Sequence, residues 1–362
     1  MDEIHLNRLE NVRRALSKKG LTQMLVSDPL SIYYLTGVRI EPFERFFALY
    51  VAPDASGDTL FLNNLFTVPE TGLKEVWLSD TDDAAAAASE AVDSSSDLGV
   101  DKDLRARFLL PIMKAHPDIG FVNSSDCVDS VRAVKDSAEI EKMRESSRIN
   151  DACTDHMFSF IKEGMSEKEC AEEVLRFYRE NGAEGPSFTP ICSFGANAAD
   201  PHHEPDGTLL KRGDCIVLDI GCTKDGYCSD MTRTWFCMKS EDPEWLRIHR
   251  LVNDAGLAAE KMIRPGVRFC DIDSAAREII DRAGYGEYFN HRLGHSIGLQ
   301  DHECDDVSSS DKKEVVPGNI FSIEPGVYLP GKFGVRIEDL VLVTEDGCEV
   351  LNRCYRGYKY TN

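Results

Sequence analysis

The stretch Cys215-Ile216-Val217-Leu218-Asp219-Ile220-Gly221 reads as a strand buried on both faces, yet it carries an acid. A continuous apolar run of this length asks for burial. An unpaired carboxylate in such a place is costly, so Asp219 needs a cation, a hydrogen-bond network or a raised pKa. The pattern recurs downstream. Ile320-Phe321-Ser322-Ile323-Glu324-Pro325-Gly326 contains Glu324, and the run Gly334 to Val343 contains Arg336 and Glu338. Asp230 follows Asp219 with Lys224-Asp225-Gly226 as a turn between them, the length of a hairpin that sets two acids side by side.

Any one of these acids could be an edge residue or an arginine's partner. Three such strands, a hairpin acid and the glycine-flanked His295 of Gly294-His295-Ser296-Ile297-Gly298 together point to metal. Converging carboxylates repel one another unless divalent cations sit between them. One imidazole added to the set suits two ions of the manganese, cobalt or zinc kind, which can share and acidify a water. The residues by themselves reach a dinuclear metallohydrolase and stop there.

Working outward, 362 residues suggest two or three domains of roughly 100–200 residues each. Lys and Arg number 41 against 63 Asp and Glu, a net charge of −22 that repels nucleic acid and anionic membrane surfaces. Twelve cysteines occur without a C-x-x-C pair, so no zinc ribbon or thioredoxin-like motif is expected. Met1-Asp2-Glu3-Ile4-His5 is no signal-peptide start, and no apolar run approaches the roughly 18 residues of a membrane span. A cytoplasmic protein with reduced thiols is expected.

Helical spacing of Leu6, Leu9, Val12 and Leu16 predicts a helix from Leu6 to Lys18, ended at Gly20. Met24 to Val26, Phe46 to Val51 and Leu60 to Leu62 read as strands, with a turn at Pro53 to Asp58. Asp82 to Asp97 is open between a solvated helix and a loop. A long helical pattern runs from Ser130 to Lys162, with Asp136 and Glu139 spaced as a cap and its partner. Further helices are predicted at Ser166 to Glu180, Trp245 to Ile263 and Ile272 to Ala283. The boundary is placed near residue 130, giving domains 1–130 and 131–362 in an α+β chain. Trp235 and Phe236 are expected in the core, and His5, His116, His156 and His249 as surface or structural residues.

Leu218-Asp219-Ile220-Gly221, Ser229-Asp230-Met231-Thr232-Arg233-Thr234, Gly294-His295-Ser296-Ile297-Gly298-Leu299, Ile323-Glu324-Pro325-Gly326 and Val335-Arg336-Ile337-Glu338-Asp339 agree in order, spacing and flanks with one family. The chain resembles the pita-bread metallopeptidases, which include methionine aminopeptidases, Xaa-Pro aminopeptidases and Xaa-Pro dipeptidases, over roughly residues 136 to 350. Tyr33-Tyr34-Leu35-Thr36-Gly37 is similar to the smaller α/β N-terminal domain of the proline-directed branch, which methionine aminopeptidases generally lack.

The resemblance implies a smaller α/β domain followed by a pita-bread catalytic domain. By position, Asp219 would bind one metal, Asp230 and Glu338 would bridge two, and His295 and Glu324 would complete the second. Glu324 also stands where the family takes a proton from water. His202 would face the substrate near the scissile bond, with His203 a neighbour on the outer face. His302 would help stabilise the tetrahedral intermediate, and His291 would line a proline pocket. Arg336 would orient bridging carboxylates or substrate, or pair with Asp230. Cys215, Cys222 and Cys228 flank the ligand hairpin but read as small buried hydrophobes. The sequence departs from the family at His302-Glu303-Cys304-Asp305-Asp306, with acids where many dipeptidases carry an arginine for the substrate carboxylate. Arg292 is the candidate substitute. The activity implied is Xaa-Pro dipeptide hydrolysis with two divalent ions, manganese favoured, in a homodimer acting on small peptides. An Xaa-Pro aminopeptidase is the first alternative, and an amidine or cyclic-solute hydrolase of the same fold the second. A binding module without turnover would show lost ligands, and none is lost.

Overall fold

Leu9, Val12 and Leu16 lie on one face of the helix Glu3–Lys18 and are all buried. Asp2 caps its start, and Gly20, with φ of +75°, follows its end. This helix opens the first of two compact units, Met1–Arg132 and Ala133–Asn362. The computed structural model describes residues 2–238 and 242–361.

The first unit holds one six-stranded mixed sheet, in the order Lys74–Leu78, Thr59–Asn63, Ala48–Val51, Gln23–Val26, Leu98–Val100 and Phe121–Asn123. The turn at Pro53 to Asp58 contains a short 3₁₀ segment, Ala55–Gly57. The Ala-rich stretch left open by the sequence is divided. Ala84–Ser89 is helical, capped by Asp83, and the residues up to Leu98 are turns.

The long helix predicted from Ser130 to Lys162 is two helices, Ser125–Ala133 and Ser137–Phe160. Val134 bridges to Asn319, and the Lys135 amide donates to the Gly318 carbonyl, so tertiary pairing wins over helical continuity here. Asp136 then restarts the helix through a full capping box with Glu139. The other predicted helices form with shifted ends: Glu167–Glu180, Pro243–Met262 and Phe269–Arg282.

In the second unit the strand Cys215–Ile220 lies between Ile191–Phe194 and Met231–Cys237, antiparallel to both. Side chains alternate across a strand. Ile216, Leu218, Ile220 and Trp235 pack with Cys153, Met157, Val174 and Tyr178 of the helices Ser137–Phe160 and Glu167–Glu180. Cys215, Val217 and Phe236 pack with the other helix pair, around Ile248, Val252, Phe269 and Ala276. Helices therefore cover both faces, which is why the strand reads as unbroken apolar sequence. Ile320–Ile323, Asp339–Val343 and Cys348–Val350 form a further antiparallel sheet, and Gly326–Leu329 pairs with Phe333–Arg336. Strands and helices mix throughout, an α+β arrangement as the sequence predicts. All twelve cysteines are free thiols, nine of them buried, while Cys270, Cys304 and Cys348 are half-buried. No helix among the described residues is long and apolar enough to cross a membrane.

Candidate active site

Period-two alternation puts Asp219 on the same face as Cys215 and Val217, at the end of the strand. Its cross-strand partner is Thr232, so Asp230 stands one residue before the strand Met231–Cys237. The expected hairpin is more elaborate than a single turn. Between the two acids, Cys222–Lys224 and Tyr227–Cys228 fold back as a second hairpin, turned by Asp225 and Gly226 at φ of 50° and 80°. Positive φ at both positions marks the turn type that matches strand twist. Gly221 is the crossing point, because a Cβ there would lie 2.0 Å from the Ser229 carbonyl oxygen. Gly294 plays the same part beside His295, where a Cβ would lie 1.9 Å from the Ser322 carbonyl.

These crossings converge on one cleft of about 590 Å³. It is lined by Asp219, Asp230, His295, Glu324 and Glu338, by His202, His291, Arg292, His302 and Arg336, and by Phe188, Thr189, Ile191 and Asp301. Every residue singled out for a role in the sequence thus faces the same space.

Three acids in the floor are shifted by burial and by their neighbours' charges. Burial, then the charge of Glu338, drives the Asp230 carboxyl far above its ordinary range. Burial, then Glu324 and Asp219, does the same to Glu338. Burial and Asp219 push Glu324 up to about 8 against the lowering pull of Arg336. Asp219 Oδ1, Asp230 Oδ1 and Glu338 Oε1 are buried without a hydrogen-bond partner. His295 Nδ1 donates to the Ser296 carbonyl at 3.2 Å, which turns the lone pair of Nε2 toward Asp230 at 3.6 Å and Glu324 at 3.7 Å. Burial, then His302 and Arg292, lowers that imidazole to about 3, so it is neutral. A neutral imidazole lone pair facing carboxylate oxygens is repulsive unless a proton or a metal cation lies between. Asp230, His295 and Glu338 bring ligand atoms within 4.8 Å of one another. The donor set fits divalent metal.

Arg336 pairs with Asp219 rather than with Asp230. Its Nη2 donates to Asp219 Oδ2 at 2.5 Å, Nε to Thr232 Oγ1 at 3.0 Å, and Nη1 to the Tyr328 hydroxyl at 2.9 Å. Thr232 in turn donates to Glu338 Oε2 at 2.8 Å, so one guanidinium orients two of the acids. The Tyr328 hydroxyl donates onward to His291 Nε2 at 3.0 Å, and His291 Nδ1 donates to the Arg292 carbonyl. Burial and the Arg336 charge lower His291 to about 3.

His302 lies against His295 with ring centroids 3.9 Å apart and planes tilted by 47°, and it accepts from Arg292 Nη2 at 3.3 Å. Arg292 also pairs with Asp306, and Asp305 with Lys313, so both acids that break the family pattern have basic partners. His203 is not the outer-face neighbour expected. It lines the cleft and donates through Nε2 to Glu167 at 2.8 Å. Glu167 is fully buried and accepts also from the Phe194 and Asp206 amides and from Asn197, fastening the loop that carries His202. His249 is buried and donates to the Thr234 carbonyl, a structural role. Asp301 escaped the sequence reading. The available signal was an acid directly before His302.

Comparison with known proteins agrees with this geometry. Residues 141–345 match metallopeptidase family M24, and residues 8–134 match the creatinase/prolidase N-terminal domain. An uncharacterized peptidase of Staphylococcus aureus (strain MSSA476) is 35% identical over 96% of this chain and 99% of its own length. The dipeptidase of Pyrococcus horikoshii OT3 superposes with a TM-score of 0.88 at 34% identity, covering 98% of this chain and 99% of that one. The Xaa-Pro dipeptidase of Bacillus anthracis does so with a TM-score of 0.90 at 28% identity, over 98% and 99%. With carboxylates and imidazole converged on one cleft and both domains matched, the chain belongs to metallopeptidase family M24 and carries that family's pita-bread catalytic domain behind a creatinase/prolidase N-terminal domain.

Proposed function

We propose that this metallopeptidase hydrolyses Xaa-Pro dipeptides with two divalent ions, manganese before cobalt or zinc. The observation that carries the metal part is the set of unpartnered buried oxygens on Asp219, Asp230 and Glu338, in the cleft where the His295 lone pair faces the carboxyls of Asp230 and Glu324. Asp219, Asp230, His295, Glu324 and Glu338 would hold the ions. When bound, the ions supply Lewis acidity and an acidified water.

The chain's own groups have distinct tasks in this reading. Glu324 is the general base, its carboxylate held in the cleft by Ser322 Oγ at 3.4 Å and by its own amide on the Leu293 carbonyl. His302 and His202 line the cleft as hydrogen-bond donors for the oxygen that gains charge as the peptide carbonyl becomes tetrahedral. His291, neutral and locked by Tyr328, is one wall for the proline ring. Arg336 fixes the acids, and Arg292 takes the free carboxylate of a dipeptide. The resemblance to proline-directed peptidases adds a homodimer and a cytoplasmic location, and a monomeric mass in light scattering would remove the first.

One observation favours a second reading. Arg292 is already paired with Asp306, which suits an Xaa-Pro aminopeptidase whose longer substrates place no carboxylate there. A product assay on manganese-loaded protein separates the two. Leu-Pro and Ala-Pro are compared with Ala-Pro-Ala, Met-Ala-Ser and Leu-Ala, each with and without chelator. Chelator-sensitive cleavage restricted to the Xaa-Pro dipeptides is expected. Preference for Ala-Pro-Ala would make the enzyme an aminopeptidase, and cleavage of neither would exclude both.

A further inference from the structure

Asp301 lines the cleft without a task in the mechanism above. Its Oδ1 is buried and has no hydrogen-bond partner, and its Oδ2 lies 3.5 Å from His302 Nε2. The two arginines of the cleft are engaged elsewhere, Arg336 with Asp219 and Arg292 with Asp306. Asp230, His295 and Glu338 bring their ligand atoms together without it, and the five positions that the family resemblance assigns to metal do not include it, although its carboxyl reaches that of Asp230. Its side chain is 22% exposed, against 6% for Asp230 and 3% for His295, so it sits on the open side of the acids. Phe188 and Ile191 line the same cleft and offer apolar surface. A carboxylate in that position repels anionic substrates and gains from a cation that arrives with the substrate.

We propose that Asp301 is a substrate subsite: it binds an ammonium group on the residue that precedes the scissile bond. This rests on the reading of the cleft as a peptide-hydrolysing site. Every peptide cleaved after its first residue brings an α-ammonium to that side, and a lysine there brings a second. Both sources share one chemistry, a primary ammonium against a carboxylate, and the substrates used separate them.

The test compares wild type with Asp301→Asn and Asp301→Val as manganese-loaded proteins. Kinetics and calorimetric binding are measured for Ala-Pro, norleucyl-Pro, Lys-Pro and N-acetyl-Ala-Pro, and bound metal is counted in each protein. Asp301→Asn keeps the shape, and Asp301→Val guards against an effect of the amide alone. If the α-ammonium is bound, both variants raise KM about tenfold for every free-amine dipeptide and wild type discriminates against the acetylated one. If the side-chain ammonium is bound, the loss is confined to Lys-Pro and norleucyl-Pro is unchanged. Unchanged KM across the series overturns the proposal, as does loss of bound metal from Asp301→Asn, which would make Asp301 a ligand. Calorimetry distinguishes this from the broader reading. Lys-Pro that binds wild type but not the variants, without cleavage, upholds the subsite and removes the dipeptidase activity. Cleavage indifferent to Asp301 does the reverse.

Discussion

His203 Nε2 meets the buried carboxylate of Glu167 at 2.8 Å, tying the loop that carries His202 to the first turn of the helix Glu167–Glu180. Glu167→Gln would present an amide N–H to donors that now find only acceptor oxygens. We expect a stability loss of about 2–3 kcal/mol in urea unfolding. A fall of about tenfold or more in kcat/KM should accompany it, with unchanged metal content, because His202 loses its fixed position. A variant that loses stability but keeps full turnover would detach this loop from the chemistry.

Metal loading and turnover should be lost together when Asp230 or Glu338 is replaced by alanine. Chelated protein is the more revealing sample. There the acids repel one another, so Asp230→Asn should raise its thermal midpoint even as it removes activity. Metal counting and scanning calorimetry on the same preparations check both halves. Full activity in either alanine variant would defeat the two-ion mechanism.

Asp306 and an incoming carboxylate have the same claim on Arg292. Asp306→Asn should therefore lower KM for Xaa-Pro dipeptides several-fold, by roughly 1 kcal/mol of released competition, while leaving Ala-Pro-Ala unaffected. Arg292→Ala should raise the dipeptide KM. Equal effects on dipeptide and tripeptide would show that Arg292 does not contact the carboxylate.

His249 offers a pH signature outside the cleft. Burial lowers its imidazole to about 4, and the ring donates to the Thr234 carbonyl in its neutral form. The unfolded chain takes up a proton near pH 6.5, while the folded state resists it until about pH 4. Stability from this group is thus complete above pH 6.5 and declines as pH falls toward 4, by about 3 kcal/mol in all. His249→Gln should flatten that part of the pH–stability curve whatever its cost at pH 8. Parallel curves for variant and wild type would refute the assignment.

Much of the site was readable because metal chemistry breaks hydrophobic patterning. Asp219, Glu324 and Glu338 are conspicuous as charges inside apolar strands, and Gly294 announces a close crossing. What stayed hidden depends on pairings between distant segments. Nothing near Val134 in sequence reveals its bridge to Asn319, which cuts the predicted helix in two. The choice of Asp219 over Asp230 as the partner of Arg336 is made by the strand register that sets Thr232 opposite Asp219. His203 looked like a bystander because its partner, Glu167, lies on a helix distant in sequence. Asp301 carried a local signal, but its open oxygen appears only once the cleft is assembled.

The distribution of the thiols has a practical consequence for watching this cleft at work. Burial pushes Cys215 and Cys228 up to about 12 and Cys222 up to about 11, so the sulfurs around the ligand hairpin stay protonated at neutral pH. Buried and protonated, they are poor ligands for soft metal and slow to react with a maleimide. Labelling falls instead to the half-buried Cys270, Cys304 and Cys348. Cys304 stands two residues beyond His302 and two before Asp306. With Cys270 and Cys348 changed to serine, one fluorophore on Cys304 becomes a reporter in the segment that joins His302 to Asp306.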